Sequence, residues 1–123
     1  MTESADYRAD LRRGELYWLD WSPGRGSEQS GLRPALIIQS NAGNANPRYN
    51  LAIVATLSAK GKSTVPTHVE ILPSSENSLR EISYVKAEQI MTVTKARLQS
   101  RIGRITEQEM ARVELALRRA QGL

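Results

Sequence analysis

The feature that most constrains this chain is a series of short apolar runs, each bounded by proline, glycine or asparagine. Residues 35–38 and 51–55 are continuous runs of this kind. Strands buried on both faces have this composition, whereas helices in globular proteins need roughly ten residues or more. The sequence therefore predicts a mainly β protein with these two runs in its core.

Other segments alternate between apolar and polar residues, which is typical of strands with one buried face. The first covers residues 15–21, where aromatic side chains favour a pleated surface. Residues 67–72, 82–86 and 89–94 also alternate, and residues 73–78 form an evident loop. Five or more short strands under one helix are most economically arranged as a small barrel or a strongly curled sheet.

The period changes to that of a helix near the end of the chain. Thr106 and Glu109 form a capping box, in which each side chain can bond to the other residue's backbone amide. Apolar residues then recur at helical spacing, at Met110, Val113, Leu117 and Ala120. We expect a C-terminal helix at about residues 106–121, stopped by Gly122.

The length of 123 residues suits one domain, which we place at residues 14–123. Residues 1–13 are polar and show no period, so we expect a mobile N-terminal arm. There is no cysteine, no leader-like segment and no run near the roughly 18 apolar residues of a membrane span. These features favour a cytoplasmic protein without a membrane partner.

The net charge of +4 comes from 17 basic residues, of which all but four are arginine. Arginine favours bidentate contacts to phosphate, so the composition permits an RNA partner without requiring one. With one histidine, no cysteine and scattered carboxylates, we expect no metal centre. The glycines around Arg25 lack the strand and helix of a phosphate-binding loop, and we expect no cofactor.

Five polar side chains lie beside the predicted strands and loops: Glu28, Arg33, Ser58, His68 and Gln89. Each also has a simpler explanation. Arg33 precedes a proline and can be an extended surface residue. Ser58 begins a polar stretch that can be a hairpin turn, and His68 can be a half-exposed strand residue that orients its neighbours.

Four motifs, taken in order, resemble the MazF/PemK (Kid) family of toxins. They are Arg-Gly-Glu-Leu-Tyr at residues 13–17, Gly-Ser-Glu-Gln at 26–29 with Arg-Pro-Ala-Leu-Ile-Ile at 33–38, Pro-Thr-His-Val at 66–69 and Glu-Gln-Ile at 88–90. The resemblance extends over nearly the whole chain and includes the capped terminal helix.

The resemblance implies an SH3-like β-barrel that forms homodimers. It implies a sequence-selective endoribonuclease that cleaves single-stranded RNA without a metal ion or cofactor. It also implies a cognate antitoxin whose acidic, disordered tail competes with RNA, and contact with DNA only through the antitoxin complex.

The resemblance also assigns roles to particular residues. Arg33 matches the family's catalytic arginine, Ser58 stands where the family has a threonine, and Glu28 is a candidate for accepting the 2′-hydroxyl proton. Met91 stands where relatives often carry a basic residue. The expected RNA-binding residues are Arg25, Ser27, Gln29, Lys60, Thr67, His68 and Gln89.

Two alternatives remain open at this stage. Gyrase-poisoning proteins of the CcdB type share the architecture but depend on a tryptophan near the C-terminus, whereas this chain has only Trp18 and Trp21. A catalytically inactive module that binds RNA or an antitoxin is suggested by the substitutions at Ser58 and Met91.

Overall fold

The computed structural model describes residues 8–21 and 31–123, which form one curled antiparallel sheet and two helices. The sheet order is β4-β5-β3-β2-β1-β6. The mainly β fold with a C-terminal helix is confirmed. The elements are β1 (Glu15–Asp20), β2 (Leu32–Ile37), α1 (Asn41–Asn44), β3 (Leu51–Ser58), β4 (His68–Ile71), β5 (Ser83–Thr94), β6 (Leu98–Arg104) and α2 (Glu107–Gln121).

The loop at residues 72–82 bridges the two ends of the sheet. Within the described residues β4 and β6 do not pair, but the amide of Arg104 donates to the carbonyl of Glu76 at 3.0 Å. The loop passes so close to Gly103 that an added Cβ would lie 2.3 Å from this carbonyl oxygen. The sheet therefore curls into a barrel-like shape that a backbone contact fastens.

Both faces of the central strands are buried, because each face covers its own apolar core. One core joins Leu36 and Leu57 to the buried side of α2, and the other contains Ala35 and Val54. This confirms the prediction from the two continuous apolar runs. Three residues of the runs are less buried: Ile53 is 36% exposed, and Ile38 and Leu51 are half-buried.

The described part of the predicted N-terminal arm is packed against the barrel, contrary to the weak attachment that we expected. Leu11 is fully buried in the second core. The guanidinium of Arg8 donates to the carbonyls of Leu98 and Gln99. A single buried leucine creates no period, so the sequence pattern did not reveal this attachment.

Helix α2 begins at the predicted capping box, with both reciprocal bonds between Thr106 and Glu109 present, and Gly122 follows it in the left-handed conformation. The short α1 and strand β6 were not predicted. Residues 82–86 and 89–94 were expected as separate strands, but they belong to the single strand β5. Among the described residues, no helix combines the length and apolarity that a membrane crossing requires.

Candidate active site

Arg33 and Ser58 come together because they lie at the adjoining ends of two paired strands. In β2 and β3, Ala35 faces Thr56 and each further step keeps the same register. Extending that register by two residues places Arg33 opposite Ser58, where paired side chains share one face of the sheet. Both residues line a single cavity of about 510 Å³. Arg33 is exposed and Ser58 is half-buried.

The cavity combines an apolar lining with a few polar groups. Its apolar residues are Trp18, Leu32, Pro34, Leu57, Ala59, Leu79 and Ile102. The loop that fastens the barrel contributes Arg80 and Glu81 to the same cavity. Two guanidinium groups and one carboxylate therefore give the cavity a positive balance, which suits an anionic ligand.

Ser58 is held by its own turn. Its Oγ accepts a hydrogen bond of 3.0 Å from the backbone amide of Lys60. The next residue, Gly61, lies against the ring of Tyr84, where an added Cβ would be 2.5 Å from the ring carbon Cγ. A hydroxyl that accepts one bond still carries its proton, so Ser58 can donate to a ligand oxygen.

A bulge in β5 creates a second polar cluster. Thr56 of β3 faces Lys86, whereas the preceding residue, Ala55, faces Ile90. Residues 87–89 therefore have no partner in β3 and bulge from the ladder. Bulges of this kind redirect side chains, and here they turn Glu88 and Gln89 toward neighbouring polar groups.

The contacts of Glu88 define the bulge cluster, which consists of Thr67, His68 and Glu88. Thr67 Oγ1 donates to one carboxylate oxygen at 2.7 Å, and His68 Nε2 bonds the other at 2.9 Å. His68 Nδ1 accepts from the amide of Lys62 at 3.2 Å, so the ring proton lies on Nε2. Partial burial acts to raise the pKa of Glu88, but the bonds from Thr67 and His68 outweigh it and lower that pKa.

Gln89 occupies the other side of the bulge. Its Oε1 accepts a hydrogen bond of 3.3 Å from Thr56 Oγ1. Thr56 is buried, whereas Gln89 is exposed. The amide nitrogen of Gln89 is therefore placed at the surface by a buried hydroxyl.

The structure thus divides the predicted site residues into two groups. Arg33 and Ser58 share the cavity, and Thr67, His68 and Gln89 surround the bulge. The loop at residues 59–66 joins the groups, since the amide of Lys60 donates to Ser58 Oγ and the amide of Lys62 donates to His68 Nδ1. Met91 is 39% exposed next to the bulge. Four predicted residues lie outside the described residues: Arg25, Ser27, Glu28 and Gln29.

Two residues at these sites were not singled out from the sequence. Glu88 was part of a recognised motif, but its role as the acceptor for His68 depends on the bulge, which alternation does not reveal. Arg80 follows a polar loop and reaches the cavity only because the barrel closes. In residues 8–21 and 31–123, no group of His, Asp or Glu side chains is arranged to hold a metal ion.

Comparison with known proteins identifies the family. A sequence profile of PemK-like, MazF-like toxins of type II toxin-antitoxin systems matches residues 12–120. The chain belongs to this family. Endoribonuclease MazF from Staphylococcus epidermidis is 38% identical over 115 residues, and that from Staphylococcus saprophyticus is 39% identical. Each alignment covers 92% of this chain and 92% of the relative.

Solved MazF structures share the fold. A mycobacterial endoribonuclease in complex with its cognate antitoxin has a TM-score of 0.75 and 30% identity, and the match covers 92% of this chain and 96% of that one. MazF from Deinococcus radiodurans has a TM-score of 0.74 with 24% identity, covering 92% and 97%. The MazF/PemK resemblance of the four motifs and the fold class that it implies are therefore confirmed.

Proposed function

We propose that this chain is the toxin of a type II toxin-antitoxin system and that it cleaves single-stranded RNA sequence-selectively in the cytoplasm. The observation that carries the proposal is the meeting of Arg33 and Ser58 at one solvent-open cavity with a positive balance of charge. The named MazF relatives, at 38–39% identity, support the same activity.

The reaction is an intramolecular transesterification. The 2′-hydroxyl oxygen of one nucleotide attacks the adjacent phosphorus, the bond from phosphorus to O5′ breaks, and the O5′ leaving group takes up a proton. The products are a 2′,3′-cyclic phosphate and a free 5′-hydroxyl. Because the nucleophile belongs to the RNA, the protein must supply charge stabilisation, orientation and proton transfer.

Arg33 neutralises the charge that grows on the phosphoryl oxygens, as a guanidinium does with two parallel N–H donors. Ser58 donates its remaining proton to a nonbridging oxygen. Its bond from the Lys60 amide supplies part of the orientation that a threonine methyl group would otherwise give. We assign the acceptance of the 2′-hydroxyl proton to Glu28, on the family resemblance alone.

This division of labour uses no metal ion or cofactor, since Arg33 would supply the positive charge at the reacting phosphate. RNA would extend from the cavity along the loop at residues 59–66 toward the bulge. We assign RNA contacts there to Lys60, Thr67, His68 and Gln89, and we retain the family-based assignment of Arg25, Ser27 and Gln29. Bases splayed from a single strand can be read by such polar side chains.

The partners follow from the same charge distribution. A positive cavity that accepts RNA also attracts the acidic tail of a cognate antitoxin, and we propose that tail and RNA compete for it. The mycobacterial relative solved with its antitoxin supports this partner class. We further propose a homodimer that meets DNA only through the antitoxin complex.

The test is a cleavage assay with purified protein and long single-stranded RNA in excess EDTA. The ends of the products are mapped, and Arg33→Ala, Ser58→Ala and Glu28→Ala are run beside the wild type. Arg119→Ala is the matched control, because Arg119 is exposed on α2 and does not line the cavity that contains Arg33 and Ser58.

We expect site-selective cuts with cyclic-phosphate and 5′-hydroxyl ends, which Arg33→Ala abolishes and Arg119→Ala preserves. Cleavage that stops in EDTA would disprove metal independence. RNA that stays intact with the wild type, or cuts that persist in Arg33→Ala, would overturn the nuclease proposal and favour a binding protein.

A further inference from the structure

The loop at residues 72–82 is more rigid than a connection between strands needs to be. Asn77 is fully buried, and its side-chain oxygen accepts from the amides of Ser74 and Leu79, each at 2.9 Å. Its side-chain nitrogen donates to the carbonyl of Leu72 at 2.8 Å. A buried asparagine with its bonds satisfied at both ends fixes the loop from within.

The backbone of this loop is also held in an uncommon conformation. Ser78 has a φ of +57°, which is rare for a residue with a side chain. Such conformations persist only where the surroundings impose them, and they are frequent at functional sites. Immediately after Ser78, the chain delivers Leu79, Arg80 and Glu81 to the cavity that contains Arg33.

The same cavity also contains an exposed aromatic residue. Trp18 of β1 is 36% exposed and shares the lining with Leu79 and Ile102. Arg80 is exposed and has no ion-pair partner among the residues that the structure describes. One cavity thus offers an indole and aliphatic walls to a flat apolar group, and a guanidinium to an anion.

We propose that this cavity binds one unpaired nucleotide next to the scissile phosphate, with its base against Trp18 and its phosphate on Arg80. The inference rests on the proposed function, since Arg33 at the same cavity marks the scissile position. Single-strand binding proteins combine stacking on an aromatic ring with cationic contacts to the backbone in this way. Trp18 and Arg80 are then substrate-binding residues, and the rigid loop sets the distance between them.

The size and charge of the cavity support this occupant. Its volume of about 510 Å³ lies within the range of roughly 300–1,000 Å³ that is usual for small-molecule pockets. Its positive balance, from Arg33 and Arg80 against Glu81, complements the phosphates on either side of a nucleotide. An acidic antitoxin peptide is the competing occupant, but an acidic peptide does not require an aromatic ring in the same cavity as the cation.

The experiment measures binding and cleavage separately. Binding uses an RNA oligonucleotide that contains the mapped cleavage site, with 2′-deoxy sugar at the cleaved nucleotide so that it cannot react. Fluorescence anisotropy gives Kd, and indole emission reports stacking directly. Only two tryptophans are present, and Trp21 is 7% exposed, so Trp18→Phe assigns any quenching to Trp18.

We expect Arg80→Ala to weaken binding about tenfold and raise KM, and Arg80→Lys to recover part of the loss. Trp18→Ala should weaken binding roughly ten- to a hundredfold, and Trp18→Phe should retain binding but lose the quenching. Arg119→Ala is again the control and should match the wild type. Circular dichroism confirms that each variant is folded.

The outcomes separate this inference from the proposed function. Wild-type cleavage that depends on Arg33, together with unchanged Kd and KM in Trp18→Ala and Arg80→Ala, would overturn the nucleotide pocket and leave the nuclease intact. A loss of affinity for an acidic antitoxin peptide, with RNA binding unchanged, would assign the cavity to the peptide instead. A wild type that neither binds nor cleaves RNA would overturn both proposals.

Discussion

The cavity and the bulge cluster are both polar, but they use their polar groups differently. At the bulge, Thr67 and His68 direct their hydrogen bonds to Glu88, so the cluster is satisfied internally. At the cavity, Arg33 and Arg80 are exposed residues in a largely apolar lining. In the bulge cluster, Glu88 holds Thr67 and His68 in place for the RNA contacts proposed for them, whereas the cavity presents exposed cations to a ligand. A substitution of Glu88 should therefore affect mainly stability, and substitutions of the cavity arginines should affect mainly activity.

The largest expected effect is that of Arg33→Ala on cleavage. Removing one preorganised donor to a transition-state oxyanion typically costs about 10²–10³ in rate, and Arg33 also supplies a full charge. Because Arg33 is exposed, we expect the free energy of unfolding to change by no more than about 0.5 kcal/mol. Single-turnover cleavage and urea denaturation measure the two quantities. If Arg33→Ala lowered the free energy of unfolding enough to account for the lost cleavage rate, the contrast between the cavity and the bulge cluster would be wrong.

The next effect is that of Ser58→Ala, for which we expect a loss of about 10² in rate. Ser58→Thr restores the hydroxyl and adds a methyl group that restricts its rotamers, so it should cleave at least as fast as the wild type. Single-turnover rates of the three proteins provide the measurement. Equal rates for Ser58→Ala and the wild type would remove Ser58 from the catalytic group.

Gly103→Ala tests how far the cavity depends on the loop that forms its wall. The new methyl group would meet the carbonyl of Glu76 at 2.3 Å, so we expect a loss of about 1–3 kcal/mol in stability, as in overpacked sites. We also expect a higher KM, since Arg80 would move with the loop. Gly122→Ala is the comparison, because an added Cβ at Gly122 would meet no atom and the cost would come from the positive φ alone. This substitution should affect KM little. A tolerated Gly103→Ala would show that the fastening contact is dispensable.

The smallest effect is that of Glu88→Gln, and it depends on pH. The pKa of Glu88 is lower in the folded protein than its ordinary value, so the unfolded chain binds the proton more readily. The resulting stabilisation is present above the unfolded-state pKa of about 4.5 and is lost as pH falls through the folded-state value. Urea midpoints at pH 7 and pH 3.5 should therefore differ less in Glu88→Gln than in the wild type. Glu107→Gln, an exposed change on α2, is the control and should leave the difference unchanged.

Much of the fold could be predicted from local patterns. Most residues in the runs around Leu36 and Val54 are buried, as expected of continuous apolar segments. Helix α2 begins after Thr106 because its capping box is encoded in four consecutive residues. These signals depend on neighbours along the chain. They can therefore be recognised without knowledge of the tertiary structure.

The remaining features depend on contacts between distant segments. Leu11 is buried in the second core, but residues 8–13 show no periodic pattern from which this burial could be predicted. The bulge at Glu88 arises from a mismatch with β3, and alternation alone places residues 82–86 and 89–94 in separate strands. Arg33 and Ser58 could be proposed from the family motifs, but Arg80 could not, because its place in the cavity follows from the loop anchored by Asn77.

The position of the proposed catalytic pair at the ends of β2 and β3 makes the proposed activity depend on correct folding. Arg33 and Ser58 are separated by α1 and most of two strands, and they face one cavity only when those strands pair in the correct register. A slip of one residue would turn one of the two side chains to the opposite face of the sheet. On the proposed mechanism, an incompletely folded chain cannot cleave RNA, and activity requires that β2 has paired with β3.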